Sequence, residues 1–512
     1  MSYSPRAALP DRVLRRSDVQ DALSRRDFGR VFALARKWGG ISYSAIAESC
    51  EIKPERVGVL ARGRGSITSH DKILQIADGL RIPGHFLGLL PRPWEDSETV
   101  VARPNAGEAI RSTPSSDGAG VDLNSSANFS NAGTRSLYDR ALSLSFTHGD
   151  LRESLGNAQA LWQTDVTNDA EIRHAPVSAE EITAPVLRWL VAPPALLGLS
   201  SSEKITVSAD DVAAVRRACH LFEALDHEFG GGHARSTAVQ YLHSEVVPLL
   251  RGNYTTAMGS ELFAATSHFS YKVGAMAYDA ALHGLARRYF MQALNFAHLA
   301  SDAALAGKAL ALMSHQANFL GDYRSAVDFA RSAKAGTGKA VTPGVYAMYS
   351  AMEARGLASL GEERECTVAL TEMEQGFGKR GSEEPEWLDY FDEAEVHDEF
   401  AHCFHDLGRA RTAADHAHRA TTLTRQEYRR SRTFAGLILA SSHLIGEPWK
   451  QDVERACALA EKALNDAGTL RSARVHAYVR QFNERLTPYT KTTAVQEFRS
   501  QALSKTGLSV LA

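Results

Sequence analysis

Residues 41–83 read ISYSAIAESCEIKPERVGVLARGRGSITSHDKILQIADGLRIP, and the order of apolar and punctuating residues in this run decides how the N-terminal part folds. Ser42 is placed to cap a helix over Tyr43–Ser49. A tight turn at Cys50–Lys53 follows and contains Ile52. Pro54 opens a second helix, where its missing N–H costs nothing. Four positions set the geometry: Ala47, Ile52, Val57 and Leu60. Two short helices that cross steeply need a small residue at the contact, an apolar plug in the turn and an apolar inner face on the second helix. These four supply all three. Lys53, Pro54, Glu55, Arg56, Gly58 and Val59 are left more outward, as on a helix that enters the major groove of double-stranded DNA. Ser42, Tyr43 and Ser44 stand where hydroxyls and free N–H groups hold phosphate. Arg62 and Arg64 lie just past the second helix, placed to clamp the backbone.

Upstream, Asp27–Trp38 carries Phe28, Val31, Phe32 and Ala35 on one helical face, and Gly39-Gly40 ends it. Downstream, Ser69 is set to cap a helix over Lys72–Leu80, and Pro83 to open a fifth. Pro91-Arg92-Pro93-Trp94-Glu95 closes the unit, because two prolines cannot continue a helix. The expected head is therefore a five-helix unit over 27–95, preceded by a flexible, mixed-charge lead-in at 1–26. Residues 96–135 are Ser, Gly, Asn and Ala with almost no large apolar side chains, the composition of a disordered linker.

Helical periodicity returns from 136. Residues 136–210 read as a helical connecting region and 211–506 as a repeat of helical hairpins; no clear strand alternation occurs. Gly284, Gly321, Gly361, Gly408 and Gly446 each follow one amphipathic segment and precede another, at spacings of 37, 40, 47 and 38 residues, near the 34-residue TPR period with insertions. Small residues seven apart recur on the second helix of a unit: Ala326 and Ala333, Ala413 and Ala420, Ala456 and Ala463. They let the two helices of a hairpin approach closely. In TPR register the first-helix positions that face the concave side are Tyr271 and Tyr278, Lys308, His315 and Asn318, Arg355, then Asp398, His402 and His405, and His443. So polar and aromatic a groove suits an extended peptide or protein tail.

The chain has 512 residues and a net charge of −3. Residues 1–95 hold 16 Lys and Arg against 10 Asp and Glu, whereas the remainder holds 41 against 50. A basic head on an acidic body points to a polyanion as the partner of the head alone. The five cysteines are scattered and form no CxxC, which argues against a disulfide framework or structural zinc and fits a reducing cytoplasm. No signal-peptide h-region opens the sequence, and the apolar stretch near Phe434–Ile445 is too short to span a bilayer.

Residues 41–83 resemble the lambda-repressor/Cro-type (XRE-like) helix-turn-helix, above all in the tail RGRGSITSHDKILQIADGLRIP at 62–83. Head and body together resemble the long regulators of actinomycetes that pair this domain with TPR-like repeats. The body runs that carry the likeness are FGGGHARS (229–236), AYDAALHGLARRYFMQALNFA (277–297), ALMSHQANFLGDYRSAVDFARSA (311–333), FAHCFHDLGRA (400–410) and TLRSARVHAYVRQFNERLTPY (469–489). The resemblance implies an all-α protein with a small lambda-repressor-like DNA-binding domain, a linker and a TPR-like α-solenoid. It implies a nucleoid-associated transcriptional regulator of specialised metabolism or development genes, acting as a homodimer. Its TPR-like part would sense a peptide, protein or small effector.

Two departures bear on this. The family usually has Gly in the turn where this chain has Glu51, and a left-handed residue with a Cβ costs about 1 kcal/mol. The second helix also carries few of the Asn, Gln and Arg side chains that read base edges. An adaptor whose helix-turn-helix serves protein contacts is therefore the alternative expectation. His397, His402, Cys403 and His405 crowd one helix beside Glu395, Asp398 and Glu399, but no second helix evidently offers further ligands. GGGH at 230–233 lacks the context of a phosphate loop, and no nucleophile–base–acid ordering exists. The expectation is a non-enzyme without metal or cofactor.

Overall fold

The computed structural model of the chain describes residues 8–14, 16–24, 27–63, 67, 70–87, 141–144, 151–167, 170–192, 205–338, 340–446, 451–468 and 470–506. Among these the fold is all-α, without a β-strand; one isolated parallel bridge pairs Thr206 with Asn253. Contacts divide the chain into two units, Met1–Gly120 and Val121–Ala512. No described helix is long and apolar enough to cross a membrane.

The first unit contains α1 (Asp11–Leu14), α2 (Ser17–Ser24), α3 (Phe28–Gly39), α4 (Tyr43–Ser49), α5 (Pro54–Ala61) and α6 (His70–Leu80), then a 3₁₀ turn at Gly84–Leu87. Asp27 caps α3 by accepting from the Arg30 N–H at 3.0 Å, and Gly40 ends it at a φ of 69°. Phe28, Val31, Phe32, Ile46, Val57, Leu60, Ile73 and Ile76 form the core. Gly29 lets α3 and α5 meet backbone to backbone, since a Cβ there would lie 2.2 Å from the Leu60 carbonyl oxygen.

The lead-in differs from expectation. Leu9, Val13, Val19 and Leu23 are buried in the same core, and the Leu9 N–H donates to the Leu80 carbonyl at 2.8 Å. The Arg16 guanidinium covers the Trp38 ring at 3.9 Å while both side chains bond Asp18. Spaced apolar residues do this work, and the surrounding charges conceal them from a compositional reading. Of the fifth expected helix the described residues hold only the 3₁₀ turn. Ser69, Arg64, the Pro91–Glu95 closure and the 96–135 linker lie outside the described residues.

The second unit opens with α7 (Leu151–Val166), α8 (Ala170–His174) and α9 (Ala179–Val191), then α10 (Ala209–Phe229), α11 (Gly231–Tyr241), one π turn and α12 (Val247–Arg251). Five helical hairpins follow: α13 (Thr256–Asp279) with α14 (His283–Leu299), α15 (Ala303–Phe319) with α16 (Tyr323–Thr337), α17 (Pro343–Leu360) with α18 (Glu363–Phe377), α19 (Glu393–Asp406) with α20 (Ala410–Leu423), and α21 (Arg429–Ser442) with α22 (Val453–Ala467). Helices α23 (Ala473–Arg485) and α24 (Thr493–Thr506) complete the unit. Ala326, Ala333, Ala413, Ala420, Ala456 and Ala463 are all buried.

Two readings of this part need correction. Gly321, Gly361, Gly408 and Gly446 have positive φ at hairpin turns, but Gly284 lies inside α14. The first turn is made by Ala281 at a φ of 62°, forty residues before Gly321. Gly284 is small for another reason, because a Cβ would lie 2.0 Å from the Ala175 carbonyl oxygen. Nor do residues 151–191 merely connect. Trp162, Ile172, Ile182 and Trp189 belong to the body's core, and Asp165 accepts from Arg235 at 2.6 Å and from Tyr289 at 2.8 Å.

The end of the helical array returns to its beginning. Arg430 on α21 makes a two-pronged bond to Asp226 on α10, at 2.9 and 2.8 Å, and reaches Asp279 on α13 at 3.2 Å. Ser472, the α23 cap, donates to Asp279 at 2.7 Å, and the Arg471 N–H donates to the Phe229 carbonyl at 2.7 Å. Tyr478 stacks on Phe319 with ring centroids 6.3 Å apart. Residues from both ends of the array thereby line one partly open chamber on its concave side.

Candidate functional site

The first unit presents one face built from α4, its following turn and α5. Ser42 caps α4 by accepting from the Ala45 N–H at 3.1 Å, and Lys53 precedes Pro54 in extended backbone. Ala47, Ile52, Val57 and Leu60 are buried between the two helices. Ser42, Ser44, Lys53, Pro54, Glu55, Arg56, Val59 and Arg62 are exposed, whereas Tyr43 and Gly58 are half-buried. The Arg36 guanidinium rests on the Tyr43 ring at 4.7 Å. Arg62 folds back toward Gly58, its guanidinium 3.5 Å from where a Cβ would stand.

Glu51 occupies the left-handed region at a φ of 50°. Helix α6 holds the turn in that state: Lys72 Nζ donates to the Glu51 carbonyl at 2.9 Å, and Gln75 Nε2 donates to its carboxylate at 3.3 Å. Burial among apolar side chains pushes the neighbouring Cys50 thiol up to about 12, so it is an inert core group.

The second site is the chamber of the body, a cavity of about 190 Å³. Four first helices each contribute one residue and another seven positions on: Tyr271 and Tyr278, Lys308 and His315, Met348 and Arg355, Glu395 and His402. Seven helical residues span about 10 Å, so the chamber has two levels. At the first, Lys308 Nζ lies 4.5 Å from the centre of the Tyr271 ring and 4.1 Å from that of Trp387, and the Tyr390 hydroxyl donates to Met348 Sδ at 3.0 Å. At the second, an Arg355 Nη donates to His315 Nε2 at 3.3 Å, and His315 Nδ1 lies 3.1 Å from the Tyr278 hydroxyl. An acceptor Nε2 fixes a neutral imidazole with its proton on Nδ1, donated to Tyr278. Burial, reinforced by Arg474 and Arg355, holds His315 well below the usual histidine range, in keeping with that tautomer. Arg474 stacks over Tyr278 and Phe434 at 4.5 and 4.8 Å.

Charge in the chamber is unevenly matched. Arg355 Nε meets a Glu399 oxygen at 2.9 Å. Burial pushes Asp398 up to about 7, with Arg355 opposing and Glu399 reinforcing, and it holds Glu395 well above the usual carboxylate range, aided by Asp398 and Glu399. Lys308 is only 1% exposed, its Nζ has no hydrogen-bond partner, and burial, with Lys272 nearby, drives it well below the usual lysine range. His402 is held low by burial and by Arg355.

Seven of the ten residues expected on the concave side line this chamber: Tyr271, Tyr278, Lys308, His315, Arg355, Asp398 and His402. The other three do not. Asn318 lies half-buried, one turn beyond His315. His405 is buried with Nδ1 3.1 Å from Asp406. His443 lines a separate groove with Arg432, Arg455 and Lys462. Met348, Glu395, Glu399 and Arg430 lie on first helices at positions the sequence register did not single out, whereas Asp226 from α10, Tyr390 from the loop before α19, and Arg474 and Tyr478 from α23 come from elements outside that register. No local pattern marks the latter, since array closure brings them in. His397 and His416 approach at 2.9 Å between Nδ1 atoms, but among the described residues no group of three or more His, Cys, Asp and Glu is placed to hold a metal.

Comparisons with protein-family models, with curated proteins and with solved structures returned no match.

Proposed function

We propose that the chain is a DNA-binding transcriptional regulator. Its first unit is a lambda-repressor-like helix-turn-helix that reads an operator, and its second is a TPR-like receptor that controls the reading. The observation that carries this is the α4–turn–α5 pair. Ala47, Ile52, Val57 and Leu60 are buried at the crossing, while Lys53, Arg56, Val59 and Arg62 stand on the outer side. A short helix held this way fits a major groove, with α4's N-terminus on a phosphate. The receptor role is supported by a chamber whose walls carry unmatched polar groups, since buried polar groups are ordinarily satisfied. Its volume favours a small effector over an extended peptide. Such domains reach useful affinity in pairs on adjacent half-sites, so the active species is a homodimer.

The test is fluorescence anisotropy with the protein's own promoter fragment. Arg56→Ala with Arg62→Ala should weaken binding to all sequences and flatten the salt dependence by up to about two counterions. Wild-type protein with no affinity for DNA above that of an acidic control protein would refute the proposal. The adaptor reading, supported by the 39% exposure of Val59 on the same face, would then take its place.

A further inference from the structure

The charged side chains around the chamber sort into those with partners and those without. Arg430 is matched by Asp226 and Asp279, Lys272 by Glu223, and Arg355 by Glu399. The Arg474 guanidinium lies over the Tyr278 and Phe434 rings, as the Lys308 amine lies over those of Tyr271 and Trp387. Left without an ion-pair partner are two carboxylates one turn apart on α19, Glu395 and Asp398, the Arg474 guanidinium, and one amine on α15, Lys308, which shares the level of Glu395 and whose Nζ makes no hydrogen bond. Among the described residues no Lys or Arg is bonded to either carboxylate; the nearest base to Asp398 is His402 at 3.6 Å, which is neutral. The leftover groups are thus of opposite sign, on different walls of one cavity, with Met348, Met352 and Leu312 between the aromatic rings as apolar lining.

We propose that the chamber binds a small zwitterion of the amino-acid class, its ammonium on Glu395 and Asp398, its carboxylate on Lys308 and its apolar body against the methionines and tyrosines. This rests on the receptor reading above and names the ligand for it. A purely cationic ligand would leave the Lys308 amine unpartnered in a dry wall, and an anionic one would add charge beside two carboxylates. A zwitterion answers both. Its ammonium favours ionised Glu395 and Asp398, and its carboxylate favours the protonated form of Lys308, which burial otherwise disfavours. Tyr271, Tyr390, Met348 and Met352 line the same chamber, so an aromatic or aliphatic side chain meets rings and thioethers there.

The test is calorimetric titration of the full-length protein with three probes that share one body: L-phenylalanine, 2-phenylethylamine and 3-phenylpropanoate. L-Phenylalanine is expected to bind one per chain, at least about tenfold more tightly than either fragment. Glu395→Gln with Asp398→Asn should reduce its affinity to that of 3-phenylpropanoate. Lys308→Met should reduce it to that of 2-phenylethylamine. Lys308→Met replaces an unpartnered amine with an apolar chain of similar length, and unchanged circular dichroism and a melting point no lower than wild type verify its fold. Absence of binding by all three probes at millimolar concentration, equal affinity for amine and amino acid, or variants that bind as wild type does would each overturn the assignment. Anisotropy on promoter DNA, run with and without L-phenylalanine, separates the two layers. Binding with no change in DNA affinity supports the ligand class and refutes the receptor reading.

Discussion

Two single residues carry testable consequences. Glu51 is held at a positive φ that its Cβ disfavours, and the bond to Gln75 that helps hold it is exposed and 3.3 Å long. Relief of the backbone cost should outweigh loss of that bond, so Glu51→Gly is expected to stabilise the chain by up to about 1 kcal/mol in urea unfolding. The same change removes a carboxylate next to the DNA-facing helix and should tighten DNA binding. A fall in the unfolding midpoint would mean that the carboxylate is a structural anchor after all. Asp398 gives a pH signature. Its folded value, about 7, lies above the unfolded one near 3.8, so the folded state holds the extra proton between them. Stability contributed by that proton is full below about pH 4 and is lost as pH rises through about 7. Asp398→Asn should remove this loss, flattening the decline in melting temperature across pH 4–7 by up to about one proton's worth of slope. An identical slope in the variant would place the titrating group elsewhere.

At the scale of elements, the sequence was legible wherever one helix meets its sequence neighbour. The cap at Ser42, the Pro54 start, and the Ala326/Ala333 type of spacing all follow from local rules and all have their place in the structure. Legibility failed where packing is distant. Gly284 reads as a turn because it follows an amphipathic run, but its size answers to the Ala175 carbonyl more than a hundred residues earlier. Leu9 and Val13 read as lead-in because no local periodicity shows the core that buries both or the Leu80 carbonyl that accepts from Leu9. The same division applies to the chamber. Residues on the first helices could be counted from the turns, whereas Arg474 and Tyr478 enter only because the array closes. Helix contacts also set a prediction for the head. Gly29 carries no side chain because α5 passes against it, so Gly29→Ala should drive the two helices apart. The expected cost is about 1–3 kcal/mol, with a parallel loss of DNA affinity because α5 is the displaced element. A head that tolerates Gly29→Ala with both properties intact would show that α5 can shift freely without consequence.

At the scale of the body, the closing contacts decide whether the concave side is a groove or a chamber. They are few and concentrated. Arg430 bridges Asp226 and Asp279, both nearly inaccessible to solvent, while the Gly231 N–H and the Ser472 hydroxyl hold the rest of Asp279. Burial works against ionised Asp226, and the Arg430 guanidinium outweighs it, keeping the carboxyl below its ordinary range. Removing the guanidinium leaves Asp226 with a buried charge and no cation bonded to it, a loss of about 3–5 kcal/mol when a buried pair is broken from one side. The hairpins between α13 and α20 retain their own packing, so the loss should appear as local opening and not as global unfolding. Arg430→Ala is therefore expected to raise hydrogen exchange in α10, α21 and α23 while α15 to α18 keep their protection. Arg430→Lys, which keeps a charge but not the two-pronged geometry, should fall between the two. Since the chamber is walled by both ends of the array, opening the seam should also abolish any small-molecule binding there without altering the DNA affinity of the head. Uniform loss of protection across all the hairpins of Arg430→Ala would instead make the seam part of one cooperative fold, and the chamber a rigid cavity that could not signal by opening.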